Sequence, residues 1–112
     1  MSEFLLVFRR DYRSPALQPS PEVLPDHLKH WADWFRSLAA QNKLAHPVIR
    51  FDADGKIVNS DKVRPGPYLY GKESIGGVMV LDVNSYEEAI ELAEGCPVLE
   101  FGGTIEIRHA LQ

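Results

Sequence analysis

The stretch Gly77-Val78-Met79-Val80-Leu81-Asp82-Val83-Asn84-Ser85-Tyr86-Glu87-Glu88-Ala89-Ile90-Glu91-Leu92-Ala93-Glu94-Gly95-Cys96-Pro97 spells out a strand, a helix start and a helix stop. Gly77 to Val83 is almost wholly apolar, which predicts a strand buried on both faces. Ser85-Tyr86-Glu87-Glu88 is a capping box, with a hydroxyl for a free amide of the first turn and a glutamate that reaches back. Tyr86, Ala89, Ile90 and Ala93 then share one helical face. Gly95 ends this helix and Pro97 prevents its continuation.

Working outward, Phe4 to Phe8 is a second continuous apolar run and predicts a second buried strand. Asp11 to Pro21 is polar and proline-bearing, a loop. Leu24, Leu28, Trp31, Phe35 and Leu38 recur at helical spacing with Trp34 beside them, while Asp26, Lys29, Asp33 and Arg36 fall opposite. This long amphipathic helix starts either with Ser20 as cap or near Leu24 or Pro25, and stops near Gln41-Asn42. Pro47 to Phe51 and Lys56 to Asn59 are short strand-like runs around Asp54-Gly55, a hairpin signal. Thr104 to His109 alternates, with Ile105 and Ile107 to one side. The order β-α-β-β-α-β, with an extra loop and hairpin in the middle, predicts an α+β class. It is the ferredoxin-like βαββαβ motif, one antiparallel sheet with two helices on one face.

The 112 residues make one domain, 1–112, large enough to bury a core without staples. A net charge of −4 with no basic block argues against nucleic acid. No run approaches the ~20 apolar residues of a membrane span. One cysteine, Cys96, forms no internal disulfide, and the first residues do not read as a signal peptide, so a reducing cytoplasm is expected. Two helices cover one sheet face, yet both apolar strands offer side chains to the other. Monomers seldom expose such a patch, so a homodimer packed sheet to sheet is expected. The alternative is that the middle insert folds over that face.

Chemistry concentrates in Pro65-Gly66-Pro67-Tyr68-Leu69-Tyr70-Gly71-Lys72-Glu73. Tyr68, Tyr70, Lys72 and Glu73 read either as a ligand-binding pocket wall or as a solvated strand edge. Trp31 and Trp34 either line an aromatic cavity or pack the core. His27 and His30 stand three apart, a spacing open to a metal pair, but no third ligand accompanies them, so no metal is expected. His30, Lys72 and Glu73 are the candidate catalytic groups. Arg9 and Arg108 read either as a pair of guanidiniums for a carboxylate or phosphate or, the preferred reading, as salt-bridge partners of Glu3, Glu106 or Asp11, and Cys96 reads as buried and inert.

These pieces in this order resemble the YCII-related proteins, specifically the bacterial DGPF-type branch. The likeness rests on Phe4-Leu5-Leu6-Val7-Phe8-Arg9, on Trp31 and Trp34 with Leu38, and on Gly66-Pro67-Tyr68 with Lys72-Glu73 and Gly76-Gly77. It continues through Glu91 to Pro97 and Gly102 to Arg108. The resemblance implies a ferredoxin-like fold assembled as a dimeric α+β barrel. The family motif usually begins with Asp, where this chain has Pro65. Smaller relatives resemble an enzyme with a His–Asp pair, whose helix histidine aligns at or next to Trp31. His30 is one residue away, a rotation of ~100°. Two functional expectations follow. One is a non-catalytic or weakly catalytic dimeric small-molecule-binding or regulatory module. The other is a cofactor-free enzyme of proton-transfer, lyase or isomerase type, acting on a small anionic or aromatic substrate. No cofactor is expected in either case.

Overall fold

Side-chain parity along the first strand decides which way the sheet faces. A computed structural model describes residues 2–111. In chain order it contains β1 Ser2–Arg10, α1 Leu24–Ala40, β2 Leu44–Arg50, β3 Gly55–Val58, β4 Val63–Gly66, β5 Ser74–Val83, α2 Tyr86–Ala93 and β6 Thr104–His109. Short 3-10 turns occupy Pro15–Leu17 and Pro97–Phe101. Phe4, Leu6, Phe8 and Arg10 share one side of β1, and all are buried. Register carries that side across the sheet, where Phe4 meets Leu81, Leu6 meets Met79 and Phe8 meets Gly77. These side chains join Leu38 and Trp34 of α1, Ala89 and Ala93 of α2, and Val98 in one core.

The main sheet runs β2-β5-β1-β6, antiparallel at every pairing. Two split β-α-β units interlock to give this order, the ferredoxin-like arrangement of an α+β domain. α2 docks through small residues, which let its backbone lie close to the sheet, while Tyr86 and Ile90 of the same helix are half exposed. Its cap is as the sequence predicts at Ser85, whose Oγ accepts from Glu88 N–H at 3.1 Å. The glutamate reaches one residue further back, accepting from Asn84 N–H at 3.0 Å.

One open alternative is decided and one local expectation changes. α1 begins at Leu24 with no side-chain cap. Ser20 instead holds the preceding turn, its Oγ accepting from Val23 N–H at 3.3 Å. The Asp54-Gly55 signal does not join the runs beside it. β2 pairs with β5, while β3 pairs with β4. The winning turn is built on Asn59, whose Oδ1 accepts from the N–H of Asp61 at 2.8 Å and of Lys62 at 2.9 Å. Further on, Tyr70 and Glu73 exchange backbone hydrogen bonds of 2.8 and 2.9 Å. Gly71 supplies the φ of +62° at the first turn position, as mirror-image hairpin turns demand.

The inserted β3–β4 arm forms its own two-stranded ribbon, separate from the main sheet. The radius of gyration is 15.3 Å, against about 13 Å for a compact chain of this length. Both helices pack on one side of the sheet. The other side presents Leu5, Val7, Val78, Val80 and the exposed Ile49, bordered by the Arg9–Glu106 ion pair.

Candidate functional site

Between α1, the helix-side face of the sheet and the loop after β1 lies a cleft of about 510 Å³. Phe8, Trp31, Phe35 and Phe51 give it an aromatic lining. Gly76 and Gly77 line it from β5, and the place a Gly76 side chain would take is held by the Tyr12 ring.

The loop is built by Asp11. Its carboxylate accepts from the N–H groups of Arg13 and Ser14, both at 2.9 Å, and from the Ser14 hydroxyl. The Ser14 hydroxyl and the two amides hold the Asp11 pKa down at about 2. Gln18 closes the loop, donating from Nε2 to Asp11 O at 2.7 Å and accepting at Oε1 from Arg10 Nη2. Arg10 therefore lies inside the fold, with its guanidinium 4.7 Å from the Tyr12 ring centroid and 5.5 Å from that of Phe101. Burial pushes the Tyr12 phenol up, so the hydroxyl stays protonated well into alkaline pH.

The other chemical group is an imidazole. His27 is only 4% exposed and lines the cleft. Its Nδ1 lies 2.9 Å from Glu100 Oε1, and its Nε2 accepts from Trp31 Nε1–H at 3.2 Å. These two contacts assign a neutral tautomer with Nδ1–H donating to the carboxylate. Burial raises the Glu100 pKa, but hydrogen bonds from His27 and His30 outweigh it and leave the carboxyl below its ordinary range. A histidine oriented by a carboxylate is an acid–base unit. Here the indole of Trp31 occupies the nitrogen that would exchange a proton, so the indole must turn away before the imidazole can accept one.

Of the residues singled out in the sequence, Trp31 lines this cleft. Trp34 is a core residue, with its indole donating to Leu92 O at 3.1 Å. His30 lies outside the cleft, exposed, holding Glu100 Oε2 at 2.9 Å. Tyr68, Tyr70 and Lys72 are exposed beyond the arm and do not reach it. Tyr68 leans on Arg64, whose guanidinium lies 5.3 Å from the ring. Glu73 accepts from the Thr104 hydroxyl at 3.5 Å. The pocket thus gathers around the loop after β1 rather than around the Pro-Gly-Pro segment. Among the described residues no three His, Cys, Asp or Glu side chains are arranged to hold a metal ion.

Sequence reasoning missed Arg10, Tyr12 and Arg50, and gave His27 no role beyond the metal spacing. Two signals were present. Arg10 continues the Phe4, Leu6, Phe8 parity, and His27 stands four residues before Trp31 on the apolar stripe. Glu100 lies 73 residues from His27 and had none.

No curated protein sequence matches the chain. Among solved structures, 5-chloro-2-hydroxyhydroquinone dehydrochlorinase from Burkholderia phenoliruptrix AC1100, solved in complex with 2,5-dihydroxybenzoquinone, is similar in fold. It shares 17% identity at a TM-score of 0.50, over 97% of this chain and 94% of that one. A family model describing the YCII-related domain matches residues 5–111. That span takes in the whole sheet-and-helix framework from β1 to β6, and the chain belongs to the YCII-related family.

Proposed function

We propose that the chain is a single-domain, dimeric small-molecule-binding protein, non-catalytic or weakly catalytic, whose ligand enters the aromatic cleft beside α1. The observation that carries this is the cleft itself. At about 510 Å³ it falls within the roughly 300–1,000 Å³ of ligand sites, and it has their apolar lining with a few polar groups. A second reading rests on the His27–Glu100 pair in the cleft wall. A cofactor-free enzyme moving a proton on a small aromatic substrate would use His27, with Glu100 orienting it and His30 supporting Glu100 from outside. The dehydrochlorinase of similar fold is an enzyme with a quinone complex, which keeps this reading in play.

The homodimer forms through the open sheet face, where the half-buried Leu5, Val78 and Val80 lie uncovered by either helix around the buried Val7. The single free thiol of Cys96, buried, suits a reducing cytoplasm.

A thermal-shift screen of small aromatic acids and quinones tests the binding reading. A saturable rise in Tm that Trp31→Ala abolishes supports it. No stabilising compound, or a rise indifferent to Trp31→Ala, refutes it. Turnover of any hit that His27→Gln removes while binding persists would promote the enzyme reading. Sedimentation tests the dimer: wild type sediments as a dimer at micromolar concentration and Val80→Glu as a monomer. A monomeric wild type contradicts it.

A further inference from the structure

We infer that the cleft takes an anion, a small ring bearing a carboxylate, phenolate or enolate oxygen, held by the guanidiniums of Arg10 and Arg50. This rests on the cleft being a ligand site and names what enters it. Arg10 is 7% exposed and forms no ion pair among the described residues. Besides the Tyr12 and Phe101 rings, its one side-chain partner among the described residues is the neutral Gln18, and its buried Nε has no hydrogen-bond partner among them. A guanidinium taken out of water without an anion is costly, and such groups are paired in native proteins.

The other arginines supply the contrast. Arg9, Arg13, Arg36 and Arg108 each meet a carboxylate. Arg64, on the exposed arm, leans on Tyr68. Arg10 and Arg50 are the two that line the cleft, and neither forms an ion pair among the described residues. Arg50 reaches the cleft from the edge strand β2, opposite Gly77 in the β2–β5 register. The nearby acids are engaged elsewhere. Asp11 is held by Ser14 and Arg13 N–H, and Glu100 by His27 and His30. Tyr12, which also lines the cleft, offers a protonated hydroxyl beside Arg10 as a further donor.

The lining specifies the rest of the ligand. Phe8, Trp31, Phe35 and Phe51 surround the cations with flat apolar surface. A planar ring stacks on such walls, while a bare inorganic anion gains nothing from them. Two guanidiniums set among aromatic rings therefore select a ring and its anionic substituent together.

The test compares 2-hydroxybenzoate with its neutral isostere 2-hydroxybenzamide on the full-length protein, by calorimetry and by Trp fluorescence. The acid should bind about 10- to 100-fold more tightly, the range of a charge-assisted hydrogen bond. Arg10→Met should level the two, while Arg36→Met, on the exposed helix face, should leave the preference intact. Should Arg10→Met not fold, Arg50→Met at the exposed edge decides the same point. Equal affinity of acid and amide for wild type removes the anion and leaves the cleft reading standing. A preference that survives both cleft variants also overturns the assignment. Acetate binding as tightly as 2-hydroxybenzoate removes the ring. Failure of both aromatic probes removes the anion assignment and counts against the cleft reading with it.

Discussion

Gly76→Ala probes how the cleft keeps its shape. A methyl group added there would lie 1.8 Å from the Tyr12 hydroxyl and 2.1 Å from its Cζ. Ordinary van der Waals contact begins at 3.4 Å, so the phenol must retreat by about 1.6 Å. The ring carbon Cε2 would lie at 2.5 Å as well, so the rigid ring has to move as one body. Over-packing of this kind costs about 1–3 kcal/mol. Alanine returns about 0.4–1 kcal/mol by restricting the unfolded chain. A net loss of about 1–2 kcal/mol is expected in wild type. In a Tyr12→Ala background the obstruction is gone, and Gly76→Ala should be neutral or slightly stabilising. Urea denaturation of the four proteins, read by circular dichroism, gives the coupling free energy, expected to be at least about 1 kcal/mol. Equal cost in both backgrounds would refute the reasoning, because the penalty would then come from the strand backbone and not from the phenol.

Two further outcomes follow from the titrating groups. Asp11 has a folded pKa of about 2, below an unfolded value near ~3.9. Its contribution to stability is therefore complete above that unfolded value and lost as pH falls towards the folded one. The stability gap between wild type and Asp11→Asn should shrink from pH 5 to pH 2 in urea titrations, and a constant gap would contradict the loop's hydrogen bonding. Burial pushes the Cys96 thiol up to about 12, against about 8.5 for a free thiol, so its thiolate population falls by roughly 1,000-fold or more. A thiol reagent at pH 8 should label the folded protein at least that much more slowly than the urea-unfolded chain, whereas comparable rates would mean that Cys96 is not enclosed.

The framework was legible because both local signals and burial demanded the same thing of the same residues. Phe4 to Phe8 and Val78 to Val83 had to be interior strands, and Ser85 and Glu88 had to open a helix. The hairpin misread at Asp54-Gly55 came from treating a dipeptide as decisive. Asn59, which bonds two following amides at once, was the stronger turn former. The site was less legible because its polar groups converge only in three dimensions. His27 and Glu100 meet through the 3-10 turn at Pro97–Phe101. Arg10 becomes a cleft residue because Asp11 and Gln18 fold the next loop back onto it. Tyr68 to Glu73 drew notice for its density of functional side chains, but density along a chain is not convergence in space.

The Asn59-centred ribbon leaves and rejoins the sheet at one point, where Phe51 N–H donates to Gly76 O at 2.9 Å. Residues 52–73 between them are a parenthesis in the framework, closed where Ser74 and Ile75 return to β1: its ends are already as close as neighbouring strands require. Lengthening or rewriting it imposes little extra loop-closure entropy on the sheet. Yet Phe51 and Gly76, the two brackets, both line the cleft. The arm is thus an insert whose two ends lie at the rim of the cavity, a place from which changes in the arm can alter what the cavity admits without redesigning the fold that holds it.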